Sequence, residues 1–276
     1  MSISMKIFNF VQRFDFLKKI FFKKMYDKIS PKINDNIDFM NYGFVAEWDG
    51  AENISIAEAS ENLYRLCLDE LSLNRFKSGS KVKVLEVGSG LGGGLRFLSK
   101  QFRDCYFYGV DLSEKNIFFS NLKSKSYSNL YFQNGDAENI PYENEFFDIV
   151  INVESSHCYS SLDRFFMDVN RVLKNKGVFY YMDFTPAIYS DPCMYLSTLK
   201  NKLSNSGFDI YAYRDITEQV LNSLNATHAE KELFLQKKGL KKDRYCDFAA
   251  MIGSEAYNYF KKGISIYFLF VLIKSK

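Results

Sequence analysis

The sequence has few of the residues that build metal centres and disulfide scaffolds. It contains two histidines, His157 and His228, and five widely spaced cysteines that form no C-x-x-C pair. These counts exclude a histidine-rich metal centre, a zinc cluster and a disulfide framework, so we predict a site without metal. Unpaired cysteines are typical of proteins in a reducing compartment, which predicts a cytoplasmic location.

Long hydrophobic runs are also missing. The longest lies at 264–273. It is well short of the roughly 20 residues of a membrane-spanning helix, and it predicts a buried strand. The first residues lack the small-residue cleavage site of a secretory signal, and lysines interrupt their phenylalanines. We therefore expect neither a spanning helix nor a secretory signal.

Charge is nearly balanced over the whole chain, with a formal net charge of +3. The first 32 residues carry eight basic and two acidic side chains, so the rest of the chain is slightly acidic. An acidic body argues against a nucleic-acid partner. With 276 residues, of which 47% are hydrophobic and 17% aromatic, the chain is long enough to bury one principal core.

The most informative feature of the sequence is a strand that is followed by closely spaced glycines. Residues 82–87 form a short apolar, β-branched run that can bury both faces of a strand, and Gly88, Gly90 and Gly92 follow it. A helix begins near Leu95, and its first amides have no partner within the helix. Those amides face whatever ligand lies across the glycines. The pattern predicts a central parallel strand that leads into a ligand-binding turn.

Glu86 discriminates between two kinds of ligand for this turn. Gly88, Gly90 and Gly93 fit G-x-G-x-x-G, which is typical of dinucleotide sites. A carboxylate at Glu86 would repel a pyrophosphate, whereas it would attract a ligand that carries an ammonium and a sulfonium group. The charge therefore favours S-adenosylmethionine over NAD as the cofactor.

Two further acids follow the next two predicted strands. Asp111 comes directly after the run 105–110, where a carboxylate can accept both ribose hydroxyls. Asp136 lies in the loop 134–141, after a short run at 130–132. By itself Asp136 would be interpreted as a turn-forming residue. Because it is the third consecutive acid at the end of a strand, we favour a role in ligand binding.

These segments resemble the class I S-adenosylmethionine-dependent methyltransferase family. The similarity is to the phthiotriolone/phenolphthiocerol dimycocerosates type and related natural-product and sugar O-methyltransferases. It covers nearly the whole chain after the first helix and rests on residues 39–44, 84–94, 108–113, 135–141 and 152–159. It implies that Asp136 accepts the exocyclic amine of adenine and that Ala137 offers its backbone amide. The cofactor-binding residues that it implies are Tyr42, Glu86, Gly88, Ser89, Gly90, Gly92, Asp111, Leu112, Asp136, Ala137, Glu138 and Asn152.

His157 is the candidate general base. It follows the predicted strand 147–153 at the edge where the methyl group should project, and an ordinary pKa of about 6.5 suits proton transfer at neutral pH. Similar sugar O-methyltransferases use a histidine at the matching position, so the resemblance supports this role. The structural alternative is a histidine that is bonded to a loop carbonyl. Glu154 either orients His157, binds the acceptor or is a structural acid at the strand end.

Other functions remain open at this stage. Within the enzyme class, C- or N-methylation of a secondary metabolite competes with O-methylation of a hydroxyl. An NAD-dependent oxidoreductase would explain the glycines, but neither Glu86 nor the loop at Asp136. A methyltransferase-like protein without catalytic activity would bind the cofactor and transfer nothing.

The alternation of strands and helices predicts an α/β fold with a doubly wound, mostly parallel seven-stranded Rossmann-like sheet. We predict an N-terminal helical extension with an aromatic cap at 1–75, a cofactor-binding core at 76–215, a helical lid at 216–262 and a final strand at 263–276. We also expect Ser30-Pro31 to end the first helix, a single helix over 56–73, and a stop at Gly177 before the fifth strand.

Two additions to this core bear on the acceptor. Large apolar residues and lysines recur near helical spacing through 1–29, which predicts a basic amphipathic helix. This helix either packs on its own domain, lies on an anionic membrane surface or caps a substrate channel. Apolar side chains expected around the carboxyl edge indicate a substantially apolar small-molecule acceptor in a closed pocket. They are Tyr42, Phe44, Trp48, Leu233, Phe234, Leu235, Phe248 and Met251.

Overall fold

The computed structural model describes residues 10–11, 14–35, 37–50, 54–77, 81–189 and 191–275. Within these residues a seven-stranded sheet has the strand order β3-β2-β1-β4-β5-β7-β6. Its strands are β1 (Lys83–Val87), β2 (Tyr106–Asp111), β3 (Leu130–Asn134), β4 (Phe147–Val153), β5 (Leu173–Phe184), β6 (Phe208–Asp215) and β7 (Tyr267–Lys274). All pairings are parallel except those of β7, which runs antiparallel to β5 and β6. The predicted doubly wound, mostly parallel sheet is therefore confirmed.

Helices precede, connect and cover these strands. In chain order they are α1 (Asp15–Ile33), α2 (Ile56–Arg65), α3 (Glu70–Lys77), α4 (Gly93–Gln101), α5 (Glu114–Lys123), α6 (Leu162–Val172), α7 (Pro192–Asn205), α8 (Thr217–Ala226), α9 (His228–Lys237), α10 (Lys242–Tyr245) and α11 (Glu255–Lys261). The last four lie between β6 and β7, where the sequence predicted a helical segment.

The central strands are buried on both faces. Successive residues of a strand point to opposite faces, and Val84 and Leu85 of β1 are both fully buried. Val84 packs in a core that includes side chains of α2, α4 and α8, whereas Leu85 packs in a core that includes side chains of α6 and α7. A continuous apolar run is what a parallel strand covered on both sides requires.

The first helix continues further than predicted. We expected Ser30-Pro31 to end it, but α1 includes Pro31 and ends at Ile33. Proline in the last turn removes one backbone donor, but the helix continues past it, and Asn34 caps its end. Its backbone amide donates to the carbonyl of Ser30, and its side chain donates to the carbonyl of Pro31. The hydroxyl of Ser30 also donates to the side chain of Asn116, which ties this turn to α5.

Two other predicted boundaries were wrong. The helix expected over 56–73 is divided into α2 and α3, because Asp69 accepts the amide of Ser72 and begins a new helix. The stop predicted at Gly177 lies inside β5, which pairs with β4 through an irregular register between Phe147 and Ile149. The turn that was predicted at Gly177 is therefore a bulge within a longer strand.

Helix α1 packs on the core. It lies against α5 and against the short turn of 3₁₀ helix at Ser156–Cys158. Phe22 is buried, and Lys19 and Lys23 pair with acidic side chains of the core. For residues 15–33 the structure therefore shows the packing alternative. The remainder of the predicted helix at 1–9 and 12–13 lies outside the described residues.

The described part of the chain contains neither a membrane-spanning helix nor a cluster of metal ligands. None of its helices combines the length and the apolar character needed to cross a membrane. Among the same residues, histidine, cysteine and acidic side chains form no group of three or more that could hold a metal ion.

Candidate active site

A cleft opens at the carboxyl edge of the sheet, beside β1, β2 and β4. The cleft and the open solvent at its mouth together comprise about 910 Å³ of space that protein atoms do not fill. Its walls come from the glycine turn, the end of β2, the loop at 135–137, the segment at 153–159 and helix α1. The strand order reverses between β1 and β4, and open parallel sheets bind their ligands at such a switch point.

The glycine turn lies at the base of this cleft. Gly88 and Gly90 have φ of 75° and 53°, in the left-handed region that favours glycine. A Cβ atom at Gly88 would lie 2.3 Å from the hydroxyl oxygen of Ser155, so the turn also requires glycine for space. Gly92 is the N-cap of α4 and also has a positive φ. Ser89 borders the cleft, and its buried hydroxyl has no hydrogen-bond partner among the described residues.

Glu86 lies within β1, directly before the turn, and is only 1% exposed. Tyr64, whose ring borders the cleft, donates to Oε1 of Glu86 at 2.6 Å. Oε2 is buried without a hydrogen-bond partner among the described residues. Burial raises the pKa of Glu86 to about 8, although the bond from Tyr64 acts in the opposite direction. An unpartnered buried acceptor is costly, so this carboxyl fits a ligand that brings a positively charged donor.

Asp111 ends β2 with its carboxylate fixed by the surrounding backbone. Oδ2 accepts the amide of Gly90 at 2.8 Å, and Oδ1 accepts the amide of Ser113 at 2.8 Å and the side chain of Asn116 at 3.1 Å. Burial raises the pKa of Asp111, against the lowering effect of these bonds. A carboxylate has about four lone-pair sites, and these three bonds leave about one for a hydroxyl donor from the cleft. Leu112 borders the cleft beside it.

Asp136 and Ala137 border the cleft on the far side of β2. Oδ1 of Asp136 accepts the amide of Glu138 at 3.0 Å, which is the turn-forming role considered for this residue. Oδ2 lies 2.5 Å from Nζ of Lys19 on α1. The side chain of Glu138 is buried behind the loop, where Oε1 accepts the amide of Ser160 at 2.8 Å. Glu138 therefore holds the loop against the segment at 153–159.

Asn152 and Tyr42 support the cleft from behind. The side chain of Asn152 is fully buried and donates to the carbonyl of Val87 at 2.9 Å, and it also contacts Ser155 and Tyr159. It therefore connects β4 to the start of the glycine turn. The ring of Tyr42 stacks on Phe184 with 5.8 Å between centroids.

Glu154 borders the cleft just after β4. Its backbone has a φ of 45°, which is uncommon for a residue other than glycine and is typical of functional sites. Oε1 accepts the amide of Tyr42 at 2.7 Å and the hydroxyl of Tyr267 at 2.8 Å. Burial raises the pKa of Glu154 to about 8, against the lowering effect of both bonds.

His157 is oriented by Asp183, which the sequence analysis did not assign to the site. Nδ1 of His157 lies 2.9 Å from Oδ1 of Asp183, and the amide of His157 donates to Oδ2 of the same carboxylate at 3.1 Å. The ring also lies 4.6 Å from the ring of Phe184. Burial by itself lowers the pKa of His157, but Cys158 and Asp183 raise it well above its usual 6.5.

The side chains of the 3₁₀ turn border two different cavities. Cys158 borders the cleft described above, whereas His157 borders a second cavity next to α7. Tyr159 borders both. The sequence predicted that His157 would lie at the carboxyl edge of β4, and it does, but on the far side of this turn.

Helix α1 contributes contacts that the sequence did not reveal. Lys19 reaches Asp136, and Asp27 accepts the hydroxyl of Ser113 at 2.6 Å. Phe22 packs edge-on against His157, with 6.1 Å between centroids. Asp183 could have been identified, because it ends the strand next to β4 and parallel strands bring such residues to one edge. The contacts of α1 had no such signal, because they join residues far apart in the chain.

The predicted aromatic cap has a different role from the one expected. Phe44 and Met251 are buried, Leu235 is 7% exposed and Leu233 is 54% exposed. Phe44 belongs to the core beneath α2 and α4. These residues therefore contribute to packing and to the lid surface, and the walls of the cleft come from other side chains.

Comparison with known proteins agrees with this geometry. A family model described as a methyltransferase domain matches residues 85–181. Fatty-acid O-methyltransferase of Mycolicibacterium smegmatis is 38% identical over 154 residues, which cover 55% of each chain, so the match spans about half the length of that relative. Phthiotriol/phenolphthiotriol dimycocerosates methyltransferase of Mycobacterium leprae is 31% identical over 201 residues, which cover 71% of this chain and 69% of the relative.

A solved structure shows the same fold at lower sequence identity. Geranyl diphosphate methyltransferase in complex with GPP and sinefungin is 16% identical, with a TM-score of 0.64 over 93% of this chain and 98% of that chain. The extended match to the M. leprae protein favours the methyltransferase interpretation of the glycine motif over the dinucleotide one. The chain belongs to the class I S-adenosylmethionine-dependent methyltransferases.

Proposed function

We propose that the protein transfers a methyl group from S-adenosylmethionine to an oxygen atom of a lipid-like small molecule. The observation that carries this proposal is the placement of a cleft, which the glycine turn and Asp111 border, and a buried histidine–aspartate pair on the two sides of one short turn. The cleft supplies the methyl donor site, and the pair supplies a proton acceptor next to it. In that arrangement one edge of the sheet holds everything that methylation of a hydroxyl requires.

The cleft residues, together with Glu86 behind Tyr64, fit the parts of the cofactor in order. Glu86, with its unpartnered Oε2, receives the ammonium group beside the glycine turn. Asp111 accepts a ribose hydroxyl at its remaining lone-pair site. The exocyclic amine of adenine lies at Asp136, and the backbone of Ala137 lines the same side of the cleft. Gly88, Gly90 and Gly92 allow the backbone to approach this ligand closely. Ser89 and Leu112 complete the walls, and Tyr42, Glu138 and Asn152 support them from behind.

The cofactor, when bound, supplies a methyl group that is attached to a sulfonium sulfur. When that bond breaks, its electron pair stays on sulfur. The protein aligns the acceptor oxygen and excludes water, because an in-line displacement depends on geometry. His157 receives the hydroxyl proton. Its Nδ1–H donates to Asp183, since an ionised carboxylate can only accept. Nε2 is then the nitrogen that takes the proton.

In this scheme Glu154 lies on the acceptor side of the bound cofactor. Its left-handed backbone and its two hydrogen bonds fix the carboxyl at the end of β4. Asp183, rather than Glu154, holds Nδ1 of His157. We therefore assign Glu154 to positioning of the acceptor or of the methyl group, and not to orientation of the base.

The relatives support a lipid-like acceptor. One is named a fatty-acid O-methyltransferase and another a phthiotriol/phenolphthiotriol dimycocerosates methyltransferase. A fatty acid has an apolar hydrocarbon chain. Together with the aromatic side chains near His157, these names favour an acceptor whose body is apolar.

The experiment uses cofactor with a deuterated methyl group. The protein is incubated with a medium-chain fatty acid, the matching ω-hydroxy fatty acid and the matching amine, and products are analysed by mass spectrometry. A labelled ether or ester is expected. A label on carbon or nitrogen would support the C- or N-methyltransferase alternative. Calorimetry without detectable cofactor binding would reject the methyltransferase function altogether.

The exposed face of α1 supports a further proposal about location. Ile20 is 54% exposed, and Lys24 and Lys28 are exposed four and eight residues further along the same helix; Phe14, directly before the helix, is 41% exposed. Such a face favours weak contact with an anionic membrane. Co-sedimentation with anionic vesicles should therefore be detectable and lost at high salt. An Ile20→Ser variant that sediments as well as the wild type would argue against this contact.

A further inference from the structure

The 3₁₀ turn separates His157 from the place where an acceptor must bind. Methyl transfer brings the acceptor oxygen into contact with the methyl carbon, so the oxygen has to lie in the cofactor cleft. His157 borders the second cavity and is not among the residues that border the cleft, although its ring packs against Phe22, which does. A proton that leaves the acceptor therefore needs a group between the cleft and the imidazole.

Cys158 has the position of such a group. It follows His157 in the turn and borders the cleft, and its thiol forms a hydrogen bond with the side chain of His157. Nδ1 of His157 lies at Asp183, and an imidazole has one other nitrogen, so the thiol lies at Nε2. Asp183 is only 1% exposed. The three side chains therefore form a chain of hydrogen bonds from the cleft to a buried carboxylate.

Tyr26 of α1 indicates which part of the cleft the thiol faces. It borders the cleft, and burial raises the pKa of its hydroxyl well above the usual range, which the nearby Cys158 and Asp111 raise further. Cys158 and Asp111 therefore both lie near this one hydroxyl. Because Asp111 is assigned to the ribose, to which the sulfonium is attached, the thiol lies near the reacting end of the cofactor. Tyr26 itself keeps its proton at neutral pH and is not a base.

Glu154 supplies an open hydrogen-bonding group in the same cleft. It is 8% exposed, and both of its hydrogen bonds are accepted by Oε1, so Oε2 has no hydrogen-bond partner among the described residues. Burial raises its pKa to about 8, so most of it is protonated at neutral pH. A proton on Oε2 can be donated to the oxygen of an alcohol, which leaves the hydroxyl hydrogen of that alcohol for another group.

We propose that Cys158 is a catalytic residue that carries the proton of an acceptor hydroxyl from the cofactor cleft to His157. The O–H bond of the acceptor breaks as a new S–H bond forms at Sγ, and the proton that Sγ held moves to Nε2. The electron pair released on oxygen forms the bond to the methyl carbon. Charge balances, because the imidazolium gains the charge that the sulfonium loses. This inference rests on the proposed function and adds the residue that contacts the acceptor.

Substitution of the thiol distinguishes proton transfer from a structural contact. The acceptor is the medium-chain ω-hydroxy fatty acid, and the product measured is its methyl ether. Cys158→Ala should lower kcat by about tenfold or more, whereas Cys158→Ser should recover most of that loss, because a hydroxyl also donates and accepts. Cys246→Ala removes a thiol that does not border the cleft and is the control. Equal losses in the alanine and serine variants, or no loss in either, would overturn the proposal.

A double variant tests whether Cys158 and His157 act in series. The variant with both His157→Ala and Cys158→Ala should lose no more kcat than His157→Ala alone, because residues that act as a unit are not additive. Losses that multiply would show that the thiol acts independently of the histidine, against the proposal. A wild-type protein that forms only the methyl ester would also contradict it, because a carboxylate has no proton to transfer at neutral pH.

Alkylation by iodoacetamide tests the position of the thiol without turnover. His157→Ala should slow alkylation of Cys158 at neutral pH by several-fold, because a neighbouring histidine promotes loss of the thiol proton. S-adenosylhomocysteine should slow it in the wild type, because Cys158 borders the cleft, and leave the exposed Cys193 unchanged. Peptide mapping by mass spectrometry gives both rates in one sample. A rate at Cys158 that does not change in His157→Ala would overturn the proposal.

Calorimetry with S-adenosylhomocysteine separates this proposal from the proposed function. If the wild type binds no cofactor, the proposed function fails, whereas the effect of His157→Ala on alkylation still reports the contact between thiol and ring. If the wild type binds cofactor and forms the ether while Cys158→Ala keeps its kcat, only the proton transfer through the thiol is wrong. Glu154→Gln would then be compared with Cys158→Ala, because the ionised form of Glu154 is the remaining proton acceptor on that side of the cleft.

Discussion

The two sides of the 3₁₀ turn differ in what holds their functional groups. On the cofactor side, backbone amides hold Asp111, and a backbone conformation that favours glycine forms the turn itself. On the side of His157, one side chain holds another, because Asp183 orients the ring of His157. A site made by backbone is encoded by local sequence, whereas a site made by side chains depends on which strands become neighbours. This difference explains which substitutions each side tolerates and which side can be predicted from the sequence.

The largest effect is expected from substitution of His157. If the acceptor is an alcohol, His157→Ala should lower kcat by about 10²- to 10⁴-fold, because a general base contributes an effect of that size. Cofactor affinity should stay nearly unchanged, because His157 borders the other cavity. Steady-state kinetics and calorimetry measure the two quantities. Turnover like that of the wild type would mean that the acceptor needs no base or that another group provides it.

The dependence of kcat/KM on pH provides a second test of His157. His157 must be neutral to accept a proton, and its pKa is raised well above 6.5. The kcat/KM should therefore rise with pH through this raised pKa and then level off. Asp183→Asn removes the main carboxylate partner, so the rise should move to lower pH while kcat falls. A profile that stays in place in Asp183→Asn would remove Asp183 from the role of positioning residue.

On the cofactor side the expected loss is smaller. Asp111→Ala should weaken S-adenosylmethionine binding by about 1 to 3 kcal/mol, since a charged acceptor of hydroxyl groups is lost. Calorimetry gives the affinity. Asp111→Asn is the control, because it keeps the shape of the side chain and one acceptor oxygen, and it should lose less. Equal affinity in all three proteins would place the ribose elsewhere.

Glu86 should make cofactor binding dependent on pH. Its pKa of about 8 means that most of it is protonated at neutral pH before the cofactor binds, whereas attraction to an ammonium group requires the ionised form. The affinity should therefore increase as pH rises from about 6 toward 8, by up to about tenfold per pH unit. Isothermal titration at several pH values measures the slope. Glu86→Gln should bind more weakly and without that slope, and an unchanged slope would assign the titration to another group.

The sheet and the cofactor turn could be predicted from sequence, because each depends on local patterns. Alternation of apolar strands with helices gives the doubly wound order, and Gly88 and Asp111 lie at fixed distances from the ends of their strands. The division of the helix over 56–73 could not be predicted, because the cap at Asp69 competes with a continuous helical pattern. The position of His157 behind the turn and the contacts of α1 depend on long-range packing. A single sequence carries no signal for those contacts.

The smallest effect is expected where α1 meets the adenine loop. Lys19 and Asp136 form an ion pair at 2.5 Å, but their side chains are 31% and 33% exposed, so water and salt screen the attraction. Lys19→Gln should therefore lower the free energy of unfolding by at most about 1 kcal/mol, and less at high salt. Denaturant unfolding at two salt concentrations measures this, with Lys24→Gln on the same helix as the control for removal of an exposed lysine. The free energy of unfolding could instead fall by much more in Lys19→Gln than in the control, and by the same amount at high salt. That result would show that the ion pair is shielded from solvent. In that case charge, and not only the burial of Phe22, would hold α1 over the cleft.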